Sequence, residues 1–309
     1  MKTKIRVGTR GSRLAVTQTK QALAVLQQAF PEVTLEIIEI TTKGDRLANH
    51  SLQAIGGQGA FVKEIEEQLT QEKIDLAVHS LKDVPTILPE NLTLACVLKR
   101  QNPADCLVFP QAGQTLATLP QGAIVGTSSL RRKAQLLKIR PDLQIKDIRG
   151  NIDTRIKKMH DEDFDAIVLA VAGIARLSIE KDLFIEELPL EICIPAVSQG
   201  ALGMECRKND AELLAMLKTI EDSATLAAVQ AERAFLAKMD GSCTFPIGCY
   251  ATVAGDEVTI QGMIANSDGS VLLKETLTAT DSISAGEKLA AELLAQGAGE
   301  LIAACRSQN

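Results

Sequence analysis

Short apolar runs alternate with amphipathic helical stretches over the first two-thirds of this chain, and that alternation restricts the fold more than any other feature. Strand-like runs lie at 5–8, 34–40, 74–78 and 92–98. Helical periodicity fills 14–30, stopped by Pro31, and 60–71, which opens after Gly56-Gly57-Gln58-Gly59. A second series follows, with strands at 105–109, 123–126, 143–148 and 166–170 and helices at 130–139, 152–160 and 171–177. Such alternation predicts α/β architecture, with parallel sheets covered by helices on both faces. The two series join near 99–103. The stretch 194–207, with Pro195 and two glycines before another strand-like run, is placed to cross back to the first, giving a hinged pair. From Asp222 the pattern changes to a long helix (223–239), a Gly241-Ser242-Cys243 turn, strand–turn–strand around Asn266-Ser267-Asp268-Gly269-Ser270, and a helix to about 304. That is a small α+β domain.

Composition removes several classes of function. The 309 residues carry 33 Lys+Arg against 39 Asp+Glu, a formal charge of −6, which argues against a generic nucleic-acid binder. There is no Trp, and seven Phe with one Tyr make a base-stacking platform a poor fit. The longest charge-free stretch, 106–130, is interrupted by Pro110, Pro120 and three glycines, so no bilayer-spanning segment and no membrane partner is expected. The basic N-terminus lacks the apolar stretch of a secretory signal. Seven cysteines, an odd number set mostly in apolar runs, fit reduced thiols in a cytoplasmic protein better than a disulfide framework.

Ligands of open α/β sheets bind at the carboxyl ends of the strands. Here the strand ends are followed by Thr9-Arg10-Gly11-Ser12-Arg13, Thr41-Thr42-Lys43-Gly44-Asp45 and His79-Ser80-Leu81-Lys82-Asp83 in the first series. In the second they are followed by Thr127-Ser128-Ser129-Leu130-Arg131-Arg132, by Arg149-Gly150-Asn151 with Arg155 one turn on, and by a helix ending at Arg176. Cations, hydroxyls and helix N-termini thus gather on one edge of each predicted sheet. Helix N-termini receive anions, and guanidinium forks match carboxylates or phosphates. An acidic chain with this distribution is expected to hold a small polyanion between two lobes; for any one arginine, a surface ion pair remains the plain alternative.

Asp83 is the acid in this basic region. It reads either as a helix cap or partner of Lys82, or as a carboxylate that stabilises a developing cation and moves protons. Cys243 stands apart from the other cysteines in a loop after a long helix, where a thiol is reactive only if its surroundings lower its pKa. No metal site is expected: Cys249 is not part of a Cys-x-x-Cys pair and the three histidines are scattered. There is no Walker A sequence, no Gly-x-Ser-x-Gly, and Val62 stands where a dinucleotide fingerprint needs its third glycine.

The runs His79-Ser80-Leu81-Lys82-Asp83-Val84-Pro85, Gly126-Thr127-Ser128-Ser129-Leu130-Arg131-Arg132 and Arg149-Gly150-Asn151 resemble the porphobilinogen deaminase (hydroxymethylbilane synthase) family. So do 171–177, Pro195-Ala196-Val197-Ser198-Gln199-Gly200-Ala201 and the Cys243 loop with Pro246-Ile247-Gly248. The likeness keeps the same order from about Ile5 to the last helix. It implies two type II periplasmic-binding-protein-like α/β domains, 1–99 completed by 200–218 and 103–195, plus a C-terminal α+β domain, 222–309, carrying the cysteine. It implies a transferase that joins four porphobilinogen molecules head to tail into hydroxymethylbilane, releasing four ammonia molecules, in a cytoplasmic monomer. It also implies a covalent dipyrromethane cofactor, linked by a thioether to Cys243.

By the same resemblance, Ser80, Lys82, Asp83, Thr127, Ser129, Arg131, Arg132 and Arg155 hold the cofactor. Arg10, Ser12, Arg149, Arg155, Arg176 and Gln199 hold substrate. Asp83 is the catalytic carboxylate beside the pyrrole N–H groups, stabilising the cation left when ammonia departs. Every pyrrole ring of this chemistry brings an acetate and a propionate, which is what a cation-rich site suits. The chain departs from the family at Ala54 and Gln58, where lysines are common, and at Ser242, where glycine is. Phe61 matches a family aromatic but serves equally as a helix core residue. Without chemistry the same architecture suits a two-lobed solute-binding protein, and a cysteine-dependent transferase of another kind would need a base near Cys243.

Overall fold

The computed structural model describes residues 2–42, 62–239 and 245–307, so the expectations on Ala54, Gln58, Phe61, Ser242 and Cys243 lie outside the described residues. The chain divides into two compact units, 1–101 with 201–227, and 102–200 with 228–309.

Unit 1 is built on β1 (Lys4–Arg10), β2 (Thr34–Ile40), β3 (Leu76–Ser80), β4 (Leu92–Val97) and β10 (Leu202–Arg207), in the order β2-β1-β3-β10-β4. β1 is parallel to β2 and β3, whereas β10 runs antiparallel to β3 and β4. Helix α1 (Arg13–Ala29) starts where Ser12 Oγ accepts the Ala15 N–H at 3.3 Å, and buries the stripe Gln18, Thr19, Ala22, Leu23 and Leu26. Of these, Ala22, Leu23 and Leu26 pack with Ile5, Val7, Val78, Met204 and Leu213, the last from α6 (Ala211–Lys218), on one face of the sheet. On the other face α2 (Lys63–Thr70) sets Ile65 and Leu69 against Ile74, Ala77 and Leu92. Burying each such side chain contributes about 1.5–3 kcal/mol.

Unit 2 repeats the plan with β5 (Asp105–Phe109), β6 (Ile124–Gly126), β7 (Gln144–Lys146), β8 (Ala166–Ala170) and β9 (Phe184–Glu187), in the order β7-β6-β8-β5-β9. β6 is parallel to β7 and β8, and β5 is antiparallel to β8 and β9. Its helices are α3 (Leu130–Ile139), α4 (Ile152–Asp161) and α5 (Val171–Leu177). The sheets that the alternation predicts as parallel are therefore mixed. Apolar periodicity records which face is buried but not strand direction, and each sheet takes in one strand running the other way. β9 was absent from the expectation because Phe-Ile-Glu-Glu at an exposed edge has neither a buried run nor clean alternation.

A second layer of unit 2 is the antiparallel meander β11 (Ile247–Ala254), β12 (Glu257–Ala265) and β13 (Leu272–Ala279). It packs on Phe235 of α7 (Ser223–Lys238) and on Leu289 and Leu293 of α8 (Ser282–Leu293). The expectation had one strand pair; a turn at Gly255 adds the third strand. The β12–β13 hairpin meets α3 at Gly269, whose φ is +74° and whose missing Cβ would fall 2.2 Å from the Ala134 carbonyl oxygen. The expected single terminal helix is broken at Gly297, φ +100°, before α9 (Gly299–Ser307).

Candidate active site

In unit 1, β1 ends at Arg10 and turns through Gly11 into the Ser12 cap of α1. β3 ends at Ser80 and passes into one 3-10 turn, Leu81–Asp83. That turn is pinned by the buried Leu81 side chain, by the Leu81 N–H to the Ala201 carbonyl at 3.1 Å, and by the Val84 N–H to the Leu81 carbonyl at 3.2 Å. Gln18 Nε2 donates to Ser80 Oγ at 2.8 Å and ties α1 to the end of β3. Arg10, Ser12, His79, Ser80 and Asp83 consequently line one pocket, with Asp83 half-buried. Lys82 sits in the same turn, half-buried and engaged by a partner.

His79 was not among the expected site residues. Its Nε2 lies 2.9 Å from Glu205 Oε2, both side chains being buried. Glu205 belongs to β10, and its Oε1 is buried without a hydrogen-bond partner among the described residues. From α2, Glu66 approaches the same compartment, and its Oε1 is likewise buried and unpartnered among those residues. Burial, and then the Glu205 carboxylate, push the Glu66 carboxyl up to about 7, with His79 opposing. The sequence signal was available: an acid inside the apolar strand Leu-Gly-Met-Glu-Cys-Arg needs a partner once buried.

In unit 2, Ser129 caps α3 by accepting the Arg132 N–H, and Thr127 is buried beside that N-terminus, its Oγ1 accepting the Ser129 N–H at 3.2 Å. Arg131 and Arg132 are not presented on the surface. Both are buried and converge on Asp105, at the start of β5, with Nη–O distances of 2.8 and 2.6 Å. Arg131 Nη1 also donates to the Ile194 carbonyl and Arg132 Nη1 to that of Val168. Gln199 joins the group by donating to Asp105 Oδ1 at 2.9 Å and to the Pro103 carbonyl at 2.7 Å. Burial would raise the Asp105 carboxyl, but the charges of Arg131 and then Arg132 hold it far below the usual carboxylate range.

Two guanidiniums thus share one carboxylate. Arg132 Nε remains buried without a partner among the described residues. So does Arg176 Nε at the end of α5, although Arg176 Nη2 donates to the Gly200 carbonyl at 2.7 Å. Burial lowers the Arg176 guanidinium to about 10, so it remains charged at neutral pH. Arg149 and Arg155 are half-buried around Gly150, whose carbonyl accepts from Arg155 Nε at 2.8 Å. These unmet buried N–H donors fit a ligand that brings carboxylates. Burial pushes the thiols of Cys96, Cys106, Cys193 and Cys206 up to about 12, which makes them inert. Among the described residues no group of His, Cys, Asp or Glu is placed to hold a metal ion.

The fold and these cation-bearing strand ends define an α/β protein equipped for a small carboxylate-rich ligand. A family model for the porphobilinogen deaminase dipyrromethane cofactor binding domain matches residues 5–215, and one for the C-terminal domain of the same family matches 226–295. The porphobilinogen deaminase of Brevibacillus brevis is 49% identical over 307 residues, covering 99% of each chain. That of Bacillus subtilis is 48% identical over 299 residues, covering 96% of this chain and 95% of its own. Among solved structures, the periplasmic aliphatic sulphonate binding protein of Escherichia coli has 15% identity and a TM-score of 0.40, over 78% of this chain and 71% of its own. A probable amino-acid transporter binding protein of Bacillus subtilis has 10% identity and a TM-score of 0.43, over 71% and 91%.

The chain belongs to the porphobilinogen deaminase family. Its fold is two mixed five-stranded α/β sheets, in the orders β2-β1-β3-β10-β4 and β7-β6-β8-β5-β9, with a small C-terminal domain. It is a hydroxymethylbilane synthase that polymerises porphobilinogen on a dipyrromethane cofactor in tetrapyrrole biosynthesis.

Proposed function

We propose that Asp83 is the carboxylate at which this polymerisation takes place. The observation that carries the reading is the pocket that Asp83 shares with Arg10, Ser12 and Ser80, where β1 and β3 end. Arg10 and the Ser12-capped start of α1 offer positive charge and N–H donors to a substrate carboxylate. Asp83 is thereby left to face the pyrrole nitrogen side, where loss of ammonia develops positive charge. A fixed carboxylate in a half-buried site stabilises that charge by several kcal/mol of barrier. Arg149, Arg155, Arg176 and Gln199 complete the substrate contacts.

Ser80, Lys82, Thr127, Ser129, Arg131, Arg132 and Arg155, together with Asp83, hold the dipyrromethane, and the unmet Arg132 Nε supports carboxylate binding there. When bound, the cofactor supplies the free pyrrole α-carbon to which the first porphobilinogen is joined. Its attachment to Cys243 by a thioether belongs to the same reading. So do the three-domain division of 1–99 with 200–218, 103–195 and 222–309, a monomeric state, a cytoplasmic setting and the absence of nucleic-acid or membrane partners. The formal charge of −6 and six buried free thiols among the described residues support the setting.

Replacing Asp83 by Asn is expected to lower kcat at least about 100-fold, with an unchanged thermal midpoint. Near-normal turnover would remove Asp83 from the reaction. Intact-mass measurement of the denatured protein is expected to show a two-pyrrole increment in the wild type that Cys243→Ser lacks. A variant that retains the increment would place the attachment elsewhere.

A further inference from the structure

Porphobilinogen addition leaves a proton to be placed. The substrate enters with its aminomethyl group as an ammonium. One C–C bond forms, the C–N bond and one pyrrole C–H bond break, ammonia departs, and the proton from carbon is left in the site. Asp83 alone can take it only by giving up the negative charge that stabilises the next cation.

We propose that His79, Glu205 and Glu66 form a proton-holding cluster behind the pocket of Asp83, which accepts the proton released at each addition through His79. This rests on the Asp83 reading of the site. His79 is the member that reaches the pocket, lining it with Asp83, and Glu205 occupies its Nε2 at 2.9 Å. Only Nδ1 is left to meet a guest, so the Glu205 bond fixes which nitrogen faces the chemistry. Glu205 Oε1 and Glu66 Oε1 are both buried and unpartnered among the described residues, and both carboxylates act on the Glu66–His79–Glu205 group electrostatically. Two carboxylates against one imidazole, with His79 and Glu205 buried and Glu66 half-buried, cannot all be ionised without an electrostatic cost, so the group shares protons as a unit.

Among the described residues the surroundings do not relieve that imbalance. β4 brings no charged side chain. On β10, Arg207 is held by Asp75 and by the carbonyls of Leu69 and Ile74. From β1, Arg10 lies at the pocket, and from α2, Glu64 adds a further half-buried carboxylate. Burial and then Glu205 bring the Glu66 carboxyl up to about 7, which supports a proton-holding role for it near neutral pH.

The test uses the holoenzyme for rate and the cofactor-free protein for titration. In Glu66→Gln one negative charge behind the ring is gone, and the cluster holds its proton less tightly. The acid limb of the kcat–pH profile is expected to move to lower pH by roughly half a unit or more. The imidazole proton resonance of His79, assigned among three histidines by its loss in His79→Gln, is expected to titrate at lower pH in Glu66→Gln than in the wild type. Glu205→Gln is expected to move that resonance further in the same direction and to lower kcat at least about tenfold, with KM little changed. A kcat–pH limb and a His79 titration both unmoved in Glu66→Gln would overturn the proposal. So would a Glu205→Gln loss equal at every pH. If Asp83→Asn abolishes turnover while these profiles stay flat, the cluster fails and the site reading stands; if Asp83→Asn turns over normally, the site reading itself fails.

Discussion

The two α/β sheets share one plan and differ in the chemistry of one strand. Among the described residues, each sheet places its one reversed strand fourth in order, β10 in unit 1 and β5 in unit 2. Each reversed strand carries a fully buried carboxylate, Glu205 and Asp105. Asp105 meets two guanidiniums and an amide, whereas Glu205 meets one imidazole through one of its two oxygens. The carboxylate of unit 2 is over-neutralised and leaves positive charge for anionic guests. That of unit 1 is under-neutralised, and beside it the Glu66 carboxyl is pushed up to about 7 by burial and by Glu205. One topology has therefore been given opposite electrostatic surpluses, by the choice of side chains beside a single buried acid.

The largest effect expected from that contrast is in Asp105→Asn. The substitution keeps the shape but leaves Arg131 and Arg132 buried beside each other with no counter-charge. Removing one partner of such a group costs about 3–5 kcal/mol. A urea midpoint showing a loss below about 1 kcal/mol would mean that the arginines find other partners and the contrast with unit 1 is only apparent. The acid limb gives the sign independently. Because the folded-state Asp105 pKa is depressed, its contribution is present above the unfolded value and is lost as pH falls through the folded one, far below 4. Wild-type protein should therefore lose stability steeply toward low pH, and Asp105→Asn should lose that slope.

Much of this was legible in the chain, and what was missed has a physical pattern. The elements at strand exits were readable because Gly11-Ser12, Ser128-Ser129 and Pro85 are local stop and start signals whose meaning needs no tertiary context. Asp83 and Arg10 were readable as neighbours at two strand exits for the same reason, and both line one pocket. Strand direction was not, because β5 and β10 obey the same apolar pattern either way round. The buried acids were missed because Asp105 opens its strand like a turn residue, and Glu205 is one charge in an apolar run. Their partners come from residues 26 and more positions away, such as Arg131 and His79. Arg131 and Arg132, expected to contact an anion, have in addition a role the sequence did not show, as ion-pair partners of Asp105 in the core.

Within unit 1 the effect of Glu205→Gln should be smaller than that of Asp105→Asn, about 1–2 kcal/mol in urea. The amide can still meet His79, and the oxygen lost to it had no partner among the described residues. A loss matching Asp105→Asn would show that Glu205 is as fully compensated as its counterpart and would erase the difference between the units.

The smallest effect sharpens the comparison most, because its direction reverses. Glu66 has a folded-state carboxyl at about 7 against an ordinary value of 4.5. A raised folded value means that the stability linked to its proton is complete below about pH 4.5 and is lost as pH rises through about 7. Glu66→Gln removes that loss, since an amide has no charge to bury. After allowance for solvent screening, the variant should gain on the order of 1–2 kcal/mol relative to wild type between pH 5 and pH 8.5. That corresponds to a few degrees in thermal midpoint. A variant whose midpoint falls with pH as steeply as the wild type would show that Glu66 is solvated and ionised, and unit 1 would then hold no surplus of proton affinity to set against the positive surplus around Asp105.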